Sequence, residues 1–183
     1  VSELADRAWT LLNRAHEVYA DSPRATNWLR RHLARFSEPL RVAVLGARGS
    51  GRTTLVGALI GEHVPEPADG RPVTWHHVPA ERTHPELTVL DVAPAEDGDE
   101  SRVVESVGME ADAVLYLVGH PHNSDLSVLR GAQEHPHARV AAVNTLLVLA
   151  RADELGGGRA DALASARQVA RRCVADPAVG ALC

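Results

Sequence analysis

Residues Gly46-Ala47-Arg48-Gly49-Ser50-Gly51-Arg52-Thr53 stand between a β-prone run, Arg41-Val42-Ala43-Val44-Leu45, and an apolar-periodic segment, Leu55, Val56, Leu59 and Ile60, that ends at Gly61. Strand, glycine-rich turn and helix in that order let successive backbone N–H groups converge on phosphate oxygens, with the positive end of the helix behind them. Gly46, Gly49 and Gly51 permit the tight path, and Ser50 and Thr54 complete the cradle. The chain is thereby predicted to be an α/β phosphate-binding domain. Thr53 would offer its hydroxyl to Mg2+, and position 52 would ordinarily place a lysine ammonium between two phosphates. Arg52 keeps the charge but changes the shape: a planar, forked guanidinium is not a compact ammonium, so phosphate binding is expected to be weaker or altered.

Composition bears directly on that substitution. All 19 basic residues are arginine, so an arginine in a lysine position is partly a consequence of overall bias. The length of 183 residues suits one α/β domain with a short appendage. Apolar residues at 45% and charged residues at 23% are those of an ordinary globular chain. The net charge of −5 provides no global basic field for nucleic acid or an anionic membrane. The longest apolar runs, Ala113 to Val118 and Thr145 to Ala150, are strand-sized, far short of the roughly 20 residues of a membrane-spanning helix. Cys173 and Cys183 lack metal-ligand spacing, and a reducing cytoplasm fits them best.

Upstream, Leu4, Ala8, Leu11, Leu12, Ala15, Val18 and Tyr19 recur at helical spacing over residues 2 to 20. Ser22-Pro23 then supplies a capping side chain followed by a proline suited to the first helical position, and Trp28, Leu29, Leu33 and Phe36 form a second stripe. The pair reads as a helical hairpin whose stripe either packs on the following domain or awaits a partner helix. Downstream, residues 62 to 72 read as irregular, Val73 to Val78 and Leu87 to Val92 as strands, and Val103, Val104 and Val107 as a short helix. Ala113 to Val118 and Thr145 to Ala150 read as further strands, with helices over Ser124 to Gln133 and 159 to 175. Alternating strands and helices predict a mainly parallel sheet with ligand at the carboxyl ends of its strands. The expected boundaries are 1–38 for the N-terminal helices and 39–183 for the α/β domain. The absence of a final strand suggests a piece of a longer protein.

Two further anchors follow the loop. Leu87-Thr88-Val89-Leu90-Asp91 is a strand ending in a carboxylate able to hold Mg2+, and Leu146-Leu147-Val148-Leu149-Ala150-Arg151-Ala152-Asp153 is a strand followed by another acid. In this order and spacing the chain resembles a Ras-like GTPase with a three-layer P-loop NTPase fold, in which a D-x-x-G and an (N/T)-K-x-D element succeed the phosphate loop. The resemblance implies GTP/GDP and Mg2+ as ligands. Asp153 would pair with the guanine edge, Arg151 would stack over the base in the lysine's place, and Ala150 lacks the usual bracing side chain. Pro72-Val73-Thr74, the helical N terminus, Ala175-Asp176-Pro177 and Leu182-Cys183 narrow the resemblance to bacterial, particularly actinobacterial, dynamin-like GTPases. By that analogy Thr74 is the switch threonine sensing Mg2+ and γ-phosphate, and residues 1–38 belong to a helical stalk. The partners implied are a second dynamin-like protein across the nucleotide face and a membrane reached through regions outside this chain. Nucleic acid is not implied.

Asp91-Val92-Ala93-Pro94 departs from D-x-x-G, because proline has no N–H to meet a γ-phosphate. With Arg52 and Ala150, this leaves two readings open: an active GTP hydrolase, or a pseudo-GTPase interaction module with weak or no hydrolysis. Arg48, within the loop, could stabilise transition-state charge in cis or be a solvated loop arginine. His76, His77, His84, His120, His122, His135 and His137 are scattered without a shared helical face, so they read as solvated, as do Asp97, Asp99 and Glu100.

Overall fold

The computed structural model describes residues 3–65, 73–82, 85–93, 107, 110–119, 144–155, 160–176 and 179. The chain divides into two compact units, Val1–Pro39 and Leu40–Cys183. The expected helix over Ser124 to Gln133, Val103 and Val104, Pro72, Pro94, Pro177, the acidic run Asp97 to Glu100, and His84, His120, His122, His135, His137, Leu182 and Cys183 lie outside the described residues.

The first unit is a helical hairpin, α1 (Glu3–Val18) and α2 (Pro23–Arg35). Ser22 caps α2, its hydroxyl accepting from the Ala25 N–H, and Pro23 opens the first turn, where its missing N–H costs nothing. Thr26 Oγ1 donates back to the Tyr19 carbonyl at 3.1 Å and ties the turn between the helices. The predicted stripe is only partly enclosed. Ala8, Leu12 and Ala15 are half-buried and Leu29 is buried, whereas Leu4, Leu11, Val18, Tyr19, Trp28 and Phe36 are exposed. A pair of short helices shields one narrow face of each member, and the flanking apolar positions fall outside it.

The second unit is built on a five-stranded sheet of order β2-β3-β1-β4-β5, from β1 (Leu40–Gly46), β2 (Val73–Val78), β3 (Leu87–Val92), β4 (Ala113–Val118) and β5 (Thr145–Leu149), with α3 (Arg52–Ile60) and α4 (Ala162–Ala175). β1 pairs in parallel with β3 and β4, and β4 with β5. β2 differs from a wholly parallel arrangement: it runs antiparallel to β3, Val73 opposite Val92 and Val78 opposite Leu87. The connection 79–86 is too short for the dozen or so residues that a parallel crossover takes, so the chain folds straight back.

Alternation along the strands divides the core between two faces. Ala43, Leu45, Leu90, Val92, Val114, Tyr116 and Val118 form one, with Val107, Val179 and Cys173 of α4 packed against them. Val44, Val89, Leu117 and Val78 form the other, covered by Val56, Leu55 and Ile60 of α3. Helix, sheet and helix make three layers, and strands buried on both faces explain the near-continuous apolar runs of β1, β3 and β4. The start of β1 is locked to the entry of β4. The Arg41 N–H donates to Asp112 Oδ2 at 2.8 Å and its carbonyl accepts from the Asp112 N–H at 2.9 Å. The Arg41 guanidinium meets Glu110 at 3.1 Å and lies 5.3 Å from the Trp75 ring centre.

Leu90, 1% exposed, packs in the first of these faces, and its replacement in Leu90→Ala is expected to lower unfolding free energy in urea by about 2–5 kcal/mol. Leu146→Ala, at a position 60% exposed, should change it by no more than about 0.5 kcal/mol.

Candidate functional site

Because β1, β3, β4 and β5 are parallel, the loops leaving their carboxyl ends open on one edge of the sheet. β3 lies on one side of β1 and β4 on the other, so the chain reverses its direction of travel at the end of β1. That is where an open α/β sheet forms its ligand crevice. The glycine-rich turn leaves β1 at this point, Asp91 sits near the end of β3, and Ala150-Arg151-Ala152-Asp153 follows β5.

The turn has the backbone the sequence predicts. Gly46, Gly49 and Gly51 have φ of 152°, 78° and 92°, and Gly46 also has no room for a side chain. A Cβ there would lie 2.6 Å from both the Leu117 carbonyl oxygen and Ser50 Oγ. The Ser50 N–H donates to the Ala47 carbonyl at 3.1 Å, closing the turn, and the first helical bond runs from Leu55 N–H to Gly51 at 2.9 Å. Gly51 at the N-cap provides no side-chain hydrogen bond. The N-terminus of α3 is therefore not capped by a side chain at Gly51, an arrangement that leaves its positive end available to an anion. Thr53 is half-buried in the first turn, whereas Thr54 and Arg48 are exposed.

Arg52 is buried at 7% exposure, and its Nη1 lies 3.8 Å from Oδ1 of Asp91, which is wholly buried. Neither Asp91 carboxylate oxygen has a hydrogen-bond partner among the described residues, nor does Ser50 Oγ. Burial raises the Asp91 pKa above its ordinary value, while the charges of Arg52 and then His76 pull it down without overcoming that cost. The ion pair and the upward shift point in opposite directions. Burial prevails because a guanidinium at 3.8 Å makes no hydrogen bond to the carboxylate.

Antiparallel pairing brings β2 into the same site. Thr74 stands opposite Asp91 and His76 opposite Val89, so Thr74 and His76 share the α3-facing side with Asp91. His76 thus departs from the solvated reading of the histidines: it is half-buried and its Nε2 is a buried atom with no hydrogen-bond partner among the described residues. Strict alternation in Val73 to Val78, counted from Val78 inward, was the signal that could have placed it. His77, on the opposite face, is exposed and 3.6 Å from Glu86.

The loop after β5 is open to solvent. Arg151 has φ 54°, uncommon for a residue with a side chain, and its guanidinium pairs with Glu154 at the surface. Asp153 is exposed in the 3-10 turn Ala152–Glu154, and Ala150 is tied to β4 through its N–H on the Val118 carbonyl at 2.9 Å. The parallel strands thus bring Gly46, Gly49, Ser50, Gly51, Arg52, Thr53, Asp91, Arg151 and Asp153 to one edge, and β2 adds Thr74. Among the described residues no three His, Cys, Asp or Glu side chains gather in a metal-binding group. The donors suited to Mg2+ are oxygens: the Asp91 carboxylate, with no hydrogen-bond donor to it among the described residues, and the hydroxyls of Thr53 and Thr74. One or two such ligands suffice for Mg2+ when phosphates complete its shell.

Comparison with solved structures settles the architecture. Toc33 from Arabidopsis thaliana, crystallised with Mg2+ and GMPPNP, matches with a TM-score of 0.56 at 18% identity over 82% of this chain and 66% of that one. The chain has the three-layer α/β fold of P-loop NTPases. The bacterial selenocysteine-specific elongation factor EF-Sec matches with a TM-score of 0.55 at 14% identity, over 78% of this chain and 24% of that chain. Era from Aquifex aeolicus, a point variant bound to GDP and AlF4−, matches at 0.52 and 17% identity, over 72% and 46%. In sequence, the Isoniazid-induced protein IniC of Mycobacterium tuberculosis is 28% identical over 92% of this chain and 46% of its own length. The chain therefore spans about half the length of the curated relatives it matches. No family profile matches it.

Two measurements test this geometry. Gly46→Ala should destabilise the chain by at least about 2 kcal/mol in chemical denaturation, from the clash and the unfavourable φ together. A pH series of melting temperatures should isolate Asp91. Its pKa is raised on folding, so its stabilising contribution is complete below the ordinary carboxyl value and is lost as pH rises through the folded value. The melting temperature of wild type relative to Asp91→Asn should accordingly fall across that interval.

Proposed function

We propose that this chain is the guanine-nucleotide-binding domain of a dynamin-like GTPase. The observation that carries the reading is the delivery of a phosphate loop, a buried carboxylate and a strand-terminal Ala-Arg-Ala-Asp turn to one sheet edge by parallel strands. In this reading Gly46, Gly49, Ser50, Gly51, Thr53 and Thr54 surround the phosphates, with the open end of α3 supplying N–H donors. Thr53, Thr74 and Asp91 would hold Mg2+, which when bound neutralises charge developing on the phosphoryl oxygens. Asp153 accepts from the guanine edge, the contact that favours GTP over ATP, and the Arg151 stem lies over the base. The left-handed backbone of Arg151 supports this assignment, since such local strain gathers at ligand sites. Thr74 senses the γ-phosphate, and Arg48 or Arg52 meets the transferred charge.

The wider reading is also ours. Residues 1–38 form part of a helical stalk, and the apolar positions left exposed on α1 and α2 support a role in packing against further helices. The nucleotide face pairs with a second dynamin-like protein, and a membrane is reached through regions outside this chain. No helix among the described residues is long and apolar enough to cross a membrane.

A second reading, a pseudo-GTPase that binds its partner with little or no hydrolysis, is favoured by the orientation of Arg52. Its guanidinium is almost wholly buried and lies beside Asp91. Proline at 94, in place of the D-x-x-G glycine, adds to it.

Titration with fluorescent GTP and ATP analogues tests the shared core of both readings. Saturable binding is expected to favour GTP, and Asp153→Ala should reduce that preference by at least about tenfold, or 1.4 kcal/mol. Absence of saturable GTP binding would contradict both. Phosphate release then separates them: robust turnover abolished by Thr53→Ala marks the hydrolase, whereas turnover that appears only in the Arg52→Lys, Pro94→Gly double variant marks the pseudo-enzyme.

A further inference from the structure

Arg52 is a long cation whose head is almost wholly enclosed. Burying a guanidinium is costly unless it faces an anion, and the anion it faces is Asp91, which is completely buried on the neighbouring strand. The pair is close without being closed. At 3.8 Å the two groups are not hydrogen-bonded, and both Asp91 oxygens and Ser50 Oγ lack partners among the described residues. Buried polar atoms left without protein partners in this way are an unmet demand that a ligand can answer.

The shape of the cation decides what such a ligand meets. An ammonium gathers its charge and its three donors at one atom. A guanidinium presents five donors in a fixed plane, so one edge can face Asp91 while another faces phosphate oxygens. We propose that Arg52 stands in for the divalent cation: held against Asp91, its guanidinium supplies the fixed positive charge that meets the nucleotide's phosphates, so nucleotide binds without requiring Mg2+. A divalent ion drawn to Asp91 has to share an enclosed, poorly screened space with a guanidinium that already neutralises the carboxylate, and the two cations repel each other there. Arg52 and Mg2+ are rivals for one carboxylate. The arginine thereby converts a metal-dependent phosphate site into one with a built-in counter-charge.

This inference rests on the nucleotide-binding reading above but replaces its assignment of Asp91 to Mg2+, and a single titration series separates the two. Affinity for a fluorescent GDP analogue is measured on the intact protein with millimolar Mg2+ and with EDTA, for wild type, Arg52→Lys and Asp91→Asn. Wild-type Kd is expected to change by less than about threefold between the two conditions, and Arg52→Lys, with the carboxylate released to the metal, by more than about tenfold. Asp91→Asn should be as indifferent to Mg2+ as wild type. A wild-type affinity that collapses by more than about tenfold in EDTA overturns the proposal, even if the lysine variant fails to fold. Equal Mg2+ dependence in wild type and Arg52→Lys also overturns it, while leaving nucleotide binding intact. Absence of saturable binding by any of the three proteins removes the nucleotide reading and this inference with it.

Discussion

β1 is hydrogen-bonded on both sides, to β3 through Leu40 to Val44 and to β4 through Val42 to Gly46. Every other feature of the site takes its position from that double pairing. It fixes the carboxyl ends of three strands at one level, and it brings Gly46 so close to Leu117 and Ser50 that only a residue without a Cβ fits. The turn must then leave the sheet on the α3 side. Ala43 and Val44, wholly buried in opposite faces, anchor this centre to both layers at once.

Onto that rigid frame the chain places an electrostatic conflict. Asp91 continues the α3-facing row of β3 that begins with Leu87 and Val89, so the regular alternation that buries those apolar side chains also buries a carboxylate. Three polar groups, Arg52, Thr74 and His76, accompany it on that side, yet burial still raises its pKa. Such a group is poorly served by the protein alone. A strand residue chosen only for stability at this place would be apolar, and the cost of keeping an acid there is the physical reason to regard it as functional.

Much of this was legible in the sequence. The limits of Val73–Val78, Leu87–Val92 and Ala113–Val118 agree with the structure to the residue because each is a bounded run with strong β preference. The glycine-rich turn needed no more than its neighbours to be assigned. What escaped was relational. The antiparallel direction of β2 depends on the length of its link to β3, which periodicity does not report. Consequently the sequence alone reads His76, one of many histidines in the chain, as solvated, although the reversed strand carries it to the side of Asp91. The contact between Arg52 and Asp91 also joins residues far apart in sequence, and only the pairing of β1 with β3 makes them neighbours. In α1 the apolar period was correct, but which of its members are enclosed depends on the tertiary partner.

The antiparallel edge strand has a mechanical consequence. Thr74 is a rung of the β2–β3 ladder, directly opposite Asp91, and among the described residues β2 has no second neighbour in the sheet. A threonine on a free loop can swing toward a ligand at little cost. A threonine in a ladder moves only when its strand moves, so displacing it means peeling the first rungs of β2 away from the end of β3. In the proposed reading, occupancy of the crevice and attachment of the sheet's edge are therefore coupled variables. Tension applied to β2 from outside would be felt at Asp91, and whatever occupies the space beside Asp91 would in turn set how firmly that edge is held.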